Sequence, residues 1–258
     1  MSEATATSRI NALSVDVEDY YNIFTRDRFG LDGPPTEAVV RNTERILTGY
    51  YHHQFFKLTR DQARDELSRA KSRLEDITGH GVLGHRAPAF SIGPDTAWAL
   101  ELLAELGFRY DSSVFPIRGR RYGWPEFPRD IHEMALPGGG SLIEAPMTPV
   151  RLLGKDRPAC GGGYVRHFPY AYTRWAIRRI NRQRPAIVYM HPYEIDTRPA
   201  GEPFASRLEA APGGVRRFHW LQLRQRASVE RQFQRLLSEY AFAPLQAAIE
   251  TALGRPLA

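Results

Sequence analysis

Apolar residues recur along the chain with two different periods, and these periods predict short strands separated by helices. A β-prone run at Asn11–Val15, brief strand-like segments at Val82–Leu83 and Phe108–Tyr110, and a continuous apolar run at Ala186–Met190 predict strands. Steps of three and four residues between apolar positions, or Pro and Gly at the ends, predict helices over Ala63–Ile77, Asp95–Leu106, Tyr170–Arg182 and Val229–Tyr240. Strands that alternate with helices are typical of a mostly parallel α/β fold.

Three stretches depart from this alternation. A Pro-Gly-Gly-Gly run that ends at Gly140 separates Glu133–Leu136 from Ser141–Ala145 and predicts a β-hairpin. The stretch that follows the acidic residues near position 18, through Gly30–Pro35, is predicted to be a loop. Pro199–Gly214 has the composition of a linker, so the last helix is expected to belong to a C-terminal extension.

Composition limits the class of protein. The chain has 258 residues, of which 42% are hydrophobic and 25% charged, which fits one large globular domain or one domain with an appendage. No apolar run reaches the roughly 18–20 residues that a membrane helix needs. The N-terminal residues lack the pattern of a signal peptide, so we expect a cytoplasmic protein. A single cysteine, Cys160, excludes a disulfide framework and a cysteine zinc site.

The formal charge of +6 raises the question of a nucleic-acid partner. Much of the excess lies in Arg174–Arg184 and Arg216–Arg235, where the basic residues are spaced like the solvated faces of helices. No signature of a nucleic-acid fold accompanies this charge, so we predict no nucleic-acid partner. An anionic polymer or a membrane surface remains an alternative for these two stretches.

Reactive side chains follow three of the predicted strands. Asp16, Asp111 and His191 each come at the end of an apolar run, and Arg86 follows a fourth. In α/β barrels the carboxyl ends of parallel strands form the face where catalytic side chains collect. Each residue alone is commonly only a turn or a helix cap, but their joint placement predicts one site assembled from distant parts of the chain.

The acidic residues at the first of these strand ends suggest a metal. Asp16 and Glu18 share one face of an extended strand, and a divalent cation would relieve their repulsion. The alternative is a solvated acidic turn. His52 and His53 are a weak signal alone, because two imidazoles on one helical turn need a spacing of three or four residues. No role is predicted for His80, His85, His132, His167 or His219, which lack such spacing.

Four segments, in order along nearly the whole chain, resemble the motifs of polysaccharide deacetylases, the NodB-homology enzymes of carbohydrate esterase family four. The segments are Ser14–Tyr20, Gly84–Ser91, Tyr110–Pro116 and Tyr189–Asp196. Within this family, the chain most resembles the deacetylases that accompany exosortase exopolysaccharide clusters, because those proteins have a similar extension from the position of Arg217 onward. The resemblance implies a distorted (β/α) barrel over residues 9–198 and a helical extension over residues 199–258 that packs on it.

The resemblance also implies a role for each residue of the site. Asp16 resembles the catalytic base and Arg86 the residue that holds it. Asp111 resembles the acid that tunes the catalytic imidazole, and His191 resembles that general acid. The implied ligands of a divalent metal, zinc or another transition metal such as cobalt, are a carboxylate from Glu18 or Asp19 and the imidazole of His52. The implied partner is an N-acetylated polysaccharide or oligosaccharide.

One metal ligand of the family is missing from this sequence. The first histidine of the family's paired motif falls where this chain has Thr48. The family also places a strand–helix unit between the position of Leu47 and this motif. In this chain the motif position, Thr48, follows Leu47 directly, so no residues remain for that unit. The expected function is metal-dependent removal of N-acetyl groups, with weakened metal binding and reduced turnover. The alternatives are a non-catalytic carbohydrate-binding relative, with Tyr20, Tyr21, Trp124 and Tyr164 in its cleft, and a glycosidase with paired carboxylates.

Overall fold

The predicted α/β class is confirmed by the computed structural model, which describes residues 9–16, 20–30, 53–119, 122–198 and 201–257. The strands are β1 Asn11–Val15, β2 Gly84–His85, β3 Tyr110–Asp111, β4 His132–Ala135, β5 Ser141–Glu144, β6 Val150–Leu152, β7 Lys155–Arg157, β8 Ile187–Met190 and β9 Phe242–Pro244. The helices are α1 Tyr20–Phe29, α2 Arg60–Thr78, α3 Trp98–Glu105, α4 Gly162–His167, α5 Tyr170–Ile180, α6 Phe204–Glu209, α7 Gly213–Leu223, α8 Arg226–Glu239 and α9 Leu245–Leu253.

The described strands form three sheets. The first has the order β8-β1-β9 and is parallel throughout. In the second, of order β2-β3-β5-β4, the first three strands are parallel and β4 pairs antiparallel with β5 as the predicted hairpin. Strands β6 and β7 form a separate hairpin. These strands do not close into a barrel, since β1 and β2 lie in different sheets. The stretch around Thr48, where a strand–helix unit is expected to be missing, lies outside the described residues.

Helix α2 shows why the periodic segments were predictable. Thr59 and Gln62 form a capping box at its start, and Gly79 ends it in the left-handed conformation with φ 68°. Strand β2 begins later than predicted, at Gly84 instead of Val82. A Cβ at Gly84 would overlap the ring of Tyr110 on the neighbouring strand. The glycine therefore allows β2 and β3 to pair with this ring between them.

The structure corrects three expectations for the loops and the extension. Helix α1 stands where a loop was predicted, and α6 lies inside the predicted linker. The extension is not only helical, because β9 pairs in parallel with β1, with Asn11 opposite Phe242. Strand β9 is too short to show alternation, so the sequence pattern could not reveal it. Helix α9 packs beside this pair and buries Ile249 completely.

The basic stretches lie on helices, as their spacing predicts. Arg178 and Arg179 are exposed on α5, and Arg216 is exposed on α7. Within the described part of the chain, no helix combines the length and the apolar character needed to cross a bilayer.

Candidate active site

Strands β1 and β8 bring Asp16 and His191 to the same edge of one sheet. The two strands are parallel, and Val15 is paired with Met190 immediately before the two reactive residues. The backbone N–H of Asp16 donates to the carbonyl of Met190 at 2.8 Å. Because the strands run in register, the carboxylate and the imidazole follow them side by side.

Arg86 connects this edge to the second sheet. Its Nη1 donates to Oδ1 of Asp16 at 2.6 Å and also to the hydroxyl of Ser14. Its Nε and Nη2 each donate, at 2.9 Å, to the carbonyl and the hydroxyl of Ser112. The side chain of Arg86 is only 11% exposed, and these four hydrogen bonds fix its guanidinium against the Asp16 carboxylate.

The carboxylate of Asp111 pairs with a different imidazole from the one that the sequence indicated. Asp111 was expected to orient His191, but its Oδ1 lies 2.8 Å from Nδ1 of His85. The carboxylate that contacts Nδ1 of His191 is Glu194, at 3.2 Å. The reason lies in the register, since β2 and β3 place His85 directly opposite Asp111. Asp111 is fully buried behind His85 and is not part of the cavity wall.

Glu194 and Arg166 support the imidazole of His191. Glu194 is fully buried, and its Oε2 also accepts the backbone N–H of His191 at 3.0 Å. Its other oxygen lies 3.5 Å from the guanidinium of Arg166, which is itself buried. A side chain at Gly162 would overlap the Glu194 carboxylate, so this glycine allows the close approach. The sequence analysis did not identify Glu194. The available signal was its position three residues after His191, at the end of the turn that begins at Pro192.

Aromatic rings connect His191 to the C-terminal extension. Tyr193 stacks on the His191 ring with centroids 5.2 Å apart, and Tyr20 lies 4.7 Å from Tyr193. The hydroxyl of Tyr20 lies 3.2 Å from Nδ1 of His219 on α7. Burial raises the pKa of Tyr20, so its hydroxyl is neutral. Burial, and then the charge of Arg226, lower the pKa of His219 to about 4, so this ring is also neutral at pH 7.

A cavity of about 460 Å³ opens beside these groups. Asp16, Arg86, His191 and His85 line it together, with aromatic walls from Tyr20, Tyr122, Tyr189 and Tyr193. Of the four rings predicted for a cleft, Tyr20 is in the wall. Tyr164 lies one step behind, hydrogen-bonded to Tyr122 at 2.6 Å, while Tyr21 packs on Phe204 and Trp124 packs on Phe127.

The predicted metal ligands Glu18, Asp19 and His52 lie outside the described residues. Their chain neighbours Asp16 and His53 both line the cavity. Among the described residues, no three histidine, cysteine or acidic side chains are grouped so that they could hold a metal. Cys160 is buried, which raises its thiol pKa to about 12, so the thiol is neutral at pH 7.

Comparison with known proteins identifies a family. The description "Domain of unknown function (DUF3473)" matches residues 112–250, which is more than half of the chain. The chain belongs to the DUF3473 family. This DUF3473 protein is 36% identical over 80 residues to a peptidoglycan deacetylase-like protein of Gibberella zeae. That alignment covers 31% of this chain and 23% of the relative.

A solved structure also resembles the DUF3473 protein. It is assigned as a polysaccharide deacetylase from Mycobacterium smegmatis, with 19% sequence identity and a TM-score of 0.47. The superposition covers 81% of this chain and 64% of that one.

The DUF3473 match divides the candidate site between two parts of the chain. His191, Glu194, Arg166 and His219 all lie within residues 112–250. Asp16 and Arg86 lie before this segment, as do His85 and Asp111. The family segment therefore supplies the supported imidazole, and the preceding residues supply the carboxylate and its arginine.

Proposed function

We propose that this protein is a hydrolase that removes N-acetyl groups from an amino-sugar polysaccharide. The proposal rests on one observation: a carboxylate held by an arginine and an imidazole held by a carboxylate both face the same cavity. Asp16 is held by Arg86 at 2.6 Å, and His191 is held by Glu194 at 3.2 Å. A base and an acid placed beside one cavity are what amide hydrolysis requires. The similarity over 80 residues to a peptidoglycan deacetylase-like protein supports the same reaction class.

In the proposed reaction, water attacks the carbonyl carbon of the acetyl group and Asp16 accepts a proton from that water. The bond between this carbon and the sugar nitrogen then breaks. His191 donates a proton to the nitrogen, so the products are acetate and a free amine. Arg86 keeps Asp16 oriented throughout, and Glu194 stabilises the charged imidazole. Each proton transfer of this kind contributes roughly 10²–10⁴-fold to the rate.

We infer that a divalent metal, zinc or cobalt, belongs to this site. A carboxylate of Glu18 or Asp19 and the imidazole of His52 would hold it, and the flanking residues Asp16 and His53 in the cavity wall support that assignment. Such a metal would polarise the acetyl carbonyl and activate water near neutral pH. With Thr48 in place of a second histidine, we expect weak binding, and titration calorimetry with Zn²⁺ tests it. Sub-micromolar affinity would contradict that expectation.

The resemblance supports two finer assignments. We infer that the parallel strands of the first two sheets are parts of a distorted (β/α) barrel that has one strand–helix unit fewer than its relatives. We also propose that the polymer is an exopolysaccharide in biosynthesis, as in the exosortase-associated branch. The first assignment rests on the four motifs and on the direct junction of Leu47 and Thr48, and the second rests on the similarity of the extension from Arg217 onward.

Acetate release from N-acetylglucosamine oligomers, measured with added Zn²⁺ or Co²⁺, tests the reaction. Asp16→Asn and His191→Asn should each lower the rate at least 100-fold. A matched control is His80→Asn, an exposed histidine outside the cavity. The tyrosine rings of the cavity wall also favour a carbohydrate-binding protein without catalysis. Saturable oligomer binding with no acetate from the unaltered protein would favour that alternative, and chain shortening would indicate a glycosidase.

A further inference from the structure

His85 presents a second imidazole to the cavity, and the proposed reaction does not use it. Its side chain is 11% exposed, and the rings of Phe55 and Phe108 pack against it at 5.8 and 5.7 Å. Nδ1 contacts Asp111 at 2.8 Å. The opposite nitrogen, Nε2, has no hydrogen-bond partner among the described residues, and it is not buried. It is therefore the part of the ring that remains accessible.

The hydrogen bonds around Asp111 show where the protons lie. The backbone N–H of Ser113 donates to Oδ2 at 2.8 Å. The hydroxyl of Ser113 accepts the N–H of Ala87 at 2.6 Å, so its own proton points to Oδ1 of Asp111, 2.7 Å away. Both oxygens of Asp111 therefore accept, which favours the ionised carboxylate. Its partner, Nδ1 of His85, must carry a proton.

A second buried carboxyl group lies beside Asp111. Glu144 is fully buried and occupies the register position opposite Asp111 on the parallel strand β5. Its Oε1 accepts the N–H of Val114 at 3.0 Å, but Oε2 is buried and meets no donor in the described part of the chain. Burial, and then the negative charge of Asp111, hold the pKa of Glu144 well above its usual range. A proton on Glu144 would remove the repulsion between these two neighbouring carboxyl groups and give the unpartnered oxygen a hydrogen to donate.

We propose that Glu144, Asp111 and His85 share protons in a fixed order that makes Nε2 of His85 a hydrogen-bond acceptor for the amino sugar. Glu144 is protonated, Asp111 is ionised, and His85 carries its proton on Nδ1. The inference rests on the proposed function for the ligand, an O–H or N–H group of an N-acetylated sugar, but not for the order of the protons.

The two imidazoles of the cavity thereby have opposite roles. Behind His191, the buried Glu194 lies 3.5 Å from the cation of Arg166, which balances the charge of the carboxylate beside the imidazole that donates a proton. Behind His85, a neutral acid takes the place of the arginine. Asp111 therefore shares its charge with Glu144 and holds His85 as a neutral ring. One imidazole accepts a hydrogen bond from the sugar, and the other donates a proton to the leaving amine.

Infrared difference spectroscopy of the free protein tests the proton order. Replacing Glu144→Gln should remove the band of a protonated carboxylic acid at neutral pH. Glu194→Gln is the matched control, because Glu194 is equally buried but faces Arg166. This substitution should remove the band of an ionised carboxylate and leave the band of the protonated acid unchanged. Nitrogen NMR of the unaltered protein should also find the proton of His85 on Nδ1. An ionised Glu144, or a proton on Nε2, would overturn the proposal.

The role toward the sugar is tested separately. His85→Phe keeps a ring between Phe55 and Phe108 but removes the acceptor, so KM for the oligomer should rise about tenfold with a smaller change in kcat. An unchanged KM would refute this role. If the unaltered protein releases no acetate, the proposed function fails while the infrared result stands. If Glu144 is ionised but acetate is released, the order of protons fails alone.

Discussion

The stability of this protein should fall in mild acid because of one histidine. His219 lies among the rings of Tyr20 and Phe204, and its pKa is lowered from 6.5 to about 4, first by burial and then by the charge of Arg226. The folded state therefore keeps the ring neutral, while the unfolded chain binds a proton below pH 6.5. Stability is fully present above pH 6.5 and is lost as the pH falls toward 4.

The magnitude follows from the two pKa values. Proton linkage between 6.5 and about 4 corresponds to about 2.5 kcal/mol at pH 4.5. Because His219 is only partly buried, solvent screening reduces this, and we expect about 1.3 kcal/mol. Urea unfolding of the unaltered protein and of His219→Gln, at pH 7.5 and pH 4.5, measures the difference. His80→Gln, at an exposed position, is the control.

The unaltered protein should lose about 1.3 kcal/mol more than His219→Gln between these two pH values. An equal loss in both proteins would contradict this prediction, because it would mean that the folded state does not lower the pKa of His219. A reduced loss in His80→Gln as well would show that the effect is not specific to the ring beside Tyr20.

Three further substitutions follow from local geometry. Gly162→Ala should lower the free energy of unfolding by about 3 kcal/mol in urea, since its Cβ overlaps Glu194, whereas Gly163→Ala has room and should cost nothing. Leu153→Asn should raise the free energy of unfolding by about 1 kcal/mol, because Leu153 is exposed with φ 49° in the turn between β6 and β7, and a loss would contradict this. Phe233→Ala should lower the free energy of unfolding by about 3–5 kcal/mol in the same assay, because Phe233 is buried on α8. A smaller loss would mean that neighbouring side chains move into the cavity.

The sequence could predict the elements whose pattern is local. The run Asn11–Val15 is found as a strand with the predicted bounds, and the helix predicted over Ala63–Ile77 is found as Arg60–Thr78. The rule that reactive residues follow parallel strands holds for Asp16 and His191, which follow neighbouring strands, but Asp111 lies outside the cavity wall. It worked because each strand carries its own apolar signal, and parallel pairing then fixes which ends meet.

The pairing of acids with imidazoles could not be predicted in the same way. Asp111 contacts His85 because strands β2 and β3 pair in one register, and a shift of β2 by one residue would turn the side chain of His85 to the other face. Neither strand is longer than two residues, so no alternation in the sequence records that register. Glu144 was missed for the same reason, since its position opposite Asp111 depends on β5. Its signal was a single acid within an apolar run, which is unusual for a buried strand.

Helix α1 and strand β9 show a second limit, which concerns the boundary between domain and extension. Tyr20, Tyr21 and Phe24 are buried in one cluster with Phe204 from the extension, so α1 is stabilised by residues nearly two hundred positions away. Such packing leaves no local periodicity. This long-range packing is also the reason why the sequence predicted a loop in place of α1 and a linker in place of α6.

The C-terminal extension is part of the candidate site rather than an accessory to it. Strand β1, which carries Asp16, lies between β8 and β9, so its second parallel neighbour comes from the extension. Arg226 on α8 donates to the carbonyl of Tyr193 at 3.2 Å, within the turn that follows His191. The acid and the imidazole are thus positioned from both sides by the segment after residue 200. The family match, which runs to residue 250, includes this segment as well.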